Sequence, residues 1–105
     1  MNLINITRGE SGHYFLQGEL TFNSIDKNTV KALRIQLYEP TESVILDLEQ
    51  ITTLDSAGLA LLIEWLKIAK IRNIKLQFTN IPEKLLAIAR LGGFEETLLD
   101  SQSGS

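Results

Sequence analysis

The chain has 105 residues, enough for one domain, and sets 10 Lys and Arg against 13 Asp and Glu for a net charge of −3. Its basic residues are scattered and form no run. That argues against nucleic acid as a partner, because phosphate neutralisation dominates such binding. It has no cysteine, which excludes disulfides and thiolate metal sites and makes a reducing cytoplasm the expected compartment.

Met1-Asn2-Leu3-Ile4-Asn5 shows no basic region leading into an apolar stretch, so no signal peptide is expected. Leu3, Ile4 and Ile6 suggest a short first strand. Arg8 to Gly12 reads as a turn with two glycines, and His13 to Leu16 as a second strand closing a hairpin. Gly18 to Phe22 continues extended. Asn23, Ser24 and Asp26 offer helix caps, and Val30, Leu33, Ile35 and Leu37 predict a helix over 27–38, stopped by Pro40. Val44 to Leu48 is a near-continuous apolar run, the pattern of a strand buried on both faces of a parallel sheet. A long helix is predicted over 57–72, with Asn73 to close it. Its most apolar part, Ala57 to Ile63, is too short to span a bilayer. Ile74 to Phe78 alternates as a strand does. Pro82 suits the first turn of a further helix, which ends at Gly92-Gly93, and a last short helix is expected over 94–99. The reading is one domain over 1–99 and a polar, flexible tail over 100–105. Strand, helix and strand at the centre form a right-handed βαβ unit. The fold class is therefore α/β, a mixed sheet packed with three to four helices.

The informative segment is the buried strand, its loop and Asp55-Ser56-Ala57-Gly58, which opens the long helix. Ser56 suits the N-cap, with Asp55 adding negative charge at the positive end of the helix dipole. A serine at a helix N-terminus is also a candidate phosphorylation site. Ala57 and Gly58 keep the first turn slim, so that another surface can approach. At 100° per residue, Leu59, Leu62, Ile63, Leu66 and Ala69 share one face, which must pack on the sheet. Opposite lies a second apolar strip, Ala57, Leu61, Ile68 and Ile71, with Trp65 at its edge. A neighbouring element of the same chain accounts for that strip as well as a docked partner does. Trp65 adds weight to a partner, because tryptophan is enriched at interface hot spots.

Other candidates are thinner. His13 is the sole histidine and has no nucleophile or second ligand placed beside it by sequence. Asp47 and Asp55 flank one loop and could share a metal, although Asp47 is better used to satisfy strand-end backbone. No phosphate-binding glycine motif is present. Neither cofactor nor metal is expected, and the chain reads as a binding module, not an enzyme.

Residues 13–99 resemble a STAS domain, the fold of anti-sigma factor antagonists and of the cytosolic tails of sulfate transporters. The resemblance rests on Val44 to Leu48 followed by Asp55-Ser56-Ala57-Gly58-Leu59. Within that family, Gly18 to Phe22, Ala60 to Trp65, Phe78 to Leu85 and Ala89 to Phe94 are similar to the Mla type. This is the STAS-domain subunit of an ABC transporter that moves phospholipids between the two membranes of Gram-negative bacteria. The resemblance implies a partner, the cytoplasmic ATPase subunit. It also implies a cytoplasmic location, at the inner membrane only through the complex, and a role in outer-membrane lipid asymmetry. It marks Ser56 as the sensitive position and puts Ala57, Gly58 and Leu61 at the contact. The other member of the family it brings into view is an anti-sigma factor antagonist, in which the serine matching Ser56 is phosphorylated.

Overall fold

The computed structural model describes residues 4–10, 12–27, 31 and 43–102. Five strands form one sheet: β1 (Ile4–Arg8), β2 (His13–Leu20), β3 (Ser43–Asp47), β4 (Ile51–Leu54) and β5 (Lys75–Thr79). Three helices are described: α1 (Ser56–Ile71), α2 (Glu83–Gly92) and α3 (Glu95–Asp100). The helix expected over 27–38 lies almost entirely outside the described residues.

The hairpin is present: β1 runs antiparallel to β2, with Ile4 opposite Gly18 and Arg8 opposite Tyr14. The other edge of β2 is shared by two strands. Its first half pairs in parallel with β3, His13 opposite Ile45, and its second half pairs in parallel with β4, Leu20 opposite Leu54. β3 and β5 are parallel neighbours joined through α1, the βαβ unit expected from the sequence. The sheet is therefore mixed, in the order β1-β2-β3-β5 with β4 extending the pairing of β2.

Register sets which residues form the core. Tyr14 lies opposite Leu46, and Leu46 opposite Phe78, so these side chains share one face of the sheet. Together with Leu16, Val44, Leu48 and Leu76 they are buried. The residues between them, Phe15, Ile45, Asp47, Gln77 and Thr79, are only half-buried. The apolar run of β3 had suggested burial on both faces. Instead it alternates, with Val44, Leu46 and Leu48 in the core and Ile45 half-covered, because among the described residues one face has much the deeper burial.

Helix ends follow local chemistry. Asn73 adopts φ +58° just past α1. Its N–H donates to the Lys70 carbonyl and that of Ile74 to the Ala69 carbonyl, a Schellman closure. Gly93, at φ +81°, ends α2 the same way, with Phe94 N–H donating to the Ala89 carbonyl at 2.7 Å. Pro82 was expected inside the first turn of α2. It sits one step earlier, as the cap residue, with ψ 141° and a carbonyl that accepts from Leu85 and Leu86. The Ser101 carbonyl accepts from Phe78 N–H at 2.8 Å and Gln102 bridges to Phe78, so residues up to 102 extend the pairing of β5.

Candidate functional site

The loop from β4 into α1 concentrates the unusual features. Asp55, not Ser56, caps the helix. Its Oδ1 accepts from Ala57 N–H at 2.9 Å and from Gly58 N–H at 3.4 Å. Asp55 has extended backbone angles, as a cap residue must, whereas Ser56 is already helical and its hydroxyl stands at an exposed first position. The second carboxylate oxygen of Asp55 accepts from Phe22 N–H at 3.1 Å. One side chain thus ties the turn after β2 to the start of α1. The N–H of Phe22 is the main cause that holds the Asp55 carboxyl below the usual aspartate range. Partial burial opposes it, and Ala57 N–H, Gly58 N–H and the charge of Lys84 assist it.

This arrangement bears on phosphorylation of Ser56. The N–H groups of Ala57 and Gly58, which would cradle an anion, already face the Asp55 carboxylate. A phosphate on Ser56 would be exposed and close to a negative charge, without that cradle.

The slim first turn serves the chain's own packing. Gly58 is buried, and a Cβ there would lie 2.3 Å from the Leu20 carbonyl oxygen and 2.7 Å from Leu20 Cγ. The helix is pressed onto the end of β2 at this point. That contact draws the buried arc of α1 toward the second strip, for which the sequence left a neighbouring element and a partner equally open. Leu61 is 4% exposed and Trp65 fully buried, while Ala57 and Ile68 are half-buried and only Ile71 is open. Gly58, Leu61 and Trp65 are therefore buried within this chain. Of the five contact residues suggested by the sequence, Ser56 is exposed and Ala57 half-buried.

An accessible apolar surface lies on the other flank of α1. A solvent-open groove of about 870 Å³ runs between α1 and α2. Ser56, Leu59, Ala60 and Ile63 form one wall, and Ile88, Leu91 and Phe94 the other. Leu91 is 91% exposed. Sequence reasoning missed the α2 wall. The available signal was that Leu85 and Ala89 satisfy one face of α2, which leaves Ile88 and Leu91 as a second apolar row.

His13 is exposed on β2. Asp47 and Asp55 do not converge on a shared ligand. Asp47 accepts from Glu49 N–H at 2.8 Å and from the Asn80 amide, and Asp55 is engaged as described. Among the described residues there is no group of three or more His, Cys, Asp or Glu arranged to hold a metal.

Residues 5–102 match the STAS domain family model. Among the solved structures that match is one described as the crystal structure of a sulfate transporter family protein from Wolinella succinogenes. It is 20% identical, with a TM-score of 0.63 over 90% of this chain and 75% of that one, a similarity of fold. No curated protein gives a significant match.

Proposed function

The chain belongs to the STAS domain family, and we propose that within it this protein is a non-catalytic subunit of an intermembrane phospholipid ABC transporter of the Mla type. In this reading it binds the cytoplasmic ATPase subunit and supports that subunit's assembly and activity. It reaches the inner membrane only through the complex. STAS domains are generally interaction domains without catalysis of their own, which gives the coarser role of protein interaction or regulation. The finer assignment is supported by the four stretches similar to the Mla type and by one structural observation. Ser56 stands exposed at the head of α1, on the rim of an open apolar groove, where an incoming protein surface meets both at once. No helix among the described residues is long and apolar enough to cross a membrane.

A test is to purify the ATPase subunit of the same organism's phospholipid transporter with and without this chain. The reading expects the ATPase to be poorly assembled and weakly active alone and to recover when the chain is added back. An ATPase indifferent to the chain sinks it. The exposure of Ser56 also favours a second reading, an anti-sigma factor antagonist switched by a kinase. A stoichiometric phosphate on Ser56 in cells, removed on activation of a sigma factor, would select that reading.

A further inference from the structure

We draw no further inference here: the strongest candidate, the solvent-open apolar groove between α1 and α2, balances Asp55 and Glu64 against Lys67 and Lys84, and nothing in the structure shows what covers it.

Discussion

Gly58→Ala is expected to destabilise the protein, although alanine is the better helix former. On an open helix the exchange would gain about 1 kcal/mol. Here the added Cβ meets the Leu20 carbonyl oxygen at 2.3 Å and Leu20 Cγ at 2.7 Å. The first neighbour is backbone and cannot rotate away. That same carbonyl accepts from Asp55 N–H at 3.2 Å, so displacing it also loosens the start of α1. Overpacking of this kind costs about 1–3 kcal/mol, and a backbone neighbour puts it at the upper end, about 3. Subtracting the propensity gain leaves a net loss of about 2 kcal/mol. For a domain of this size that lowers the melting temperature by roughly 10 °C. Urea and thermal unfolding followed by circular dichroism measure both quantities. A Gly58→Ala protein as stable as wild type would show that α1 is not seated on β2 as described.

The capping assignment separates two neighbours: Asp55→Ala should cost about 2 kcal/mol, whereas exposed Ser56→Ala should stay within about 0.5 kcal/mol. Equal losses in urea unfolding would contradict it. Asp55 also predicts an acid limb. Its carboxyl titrates below the normal aspartate range when folded, so its contribution is fully present above the unfolded value and is lost as pH falls through the lower folded one. Asp55→Asn should therefore flatten the loss of stability below about pH 4, and an unchanged acid limb would refute the link. Thr21 buries its Oγ1 without a hydrogen-bond partner among the described residues, so Thr21→Val should stabilise by about 1 kcal/mol in the same assay. Leu61→Asp places a charge in the core and should abolish cooperative unfolding, where an interface role would have left folding intact.

Much of the architecture was legible in the residues because local rules and tertiary packing agree. The hairpin around Gly9 and Gly12, the βαβ unit through Val44, Leu62 and Phe78, and the closures at Asn73 and Gly93 all follow from periodicity and capping. The site was less legible. Two residues of equal capping quality stand side by side at 55 and 56, and backbone angles decide between them. Asp55 wins because its second oxygen also reaches Phe22 N–H, 33 residues away in sequence, a contact no local pattern contains. The apolar rows on α1 read as two strips because a helical wheel has no information on what lies beneath Gly58. Once Leu20 occupies that place, Leu61 and Trp65 turn inward, and an accessible surface lies on the flank shared with α2.

The most direct test of the account is a pull-down of the tagged protein from its own cells, wild type beside Ala60→Arg, with mass spectrometry of what is retained. Ala60 is exposed on the groove wall, so the variant should fold normally and lose only what docks there. The account predicts that wild type retains an ABC transporter ATPase and that Ala60→Arg loses it. An ATPase held equally by both proteins would remove the groove as the docking surface, and the absence of any ABC ATPase from the wild-type sample would contradict the transporter reading itself.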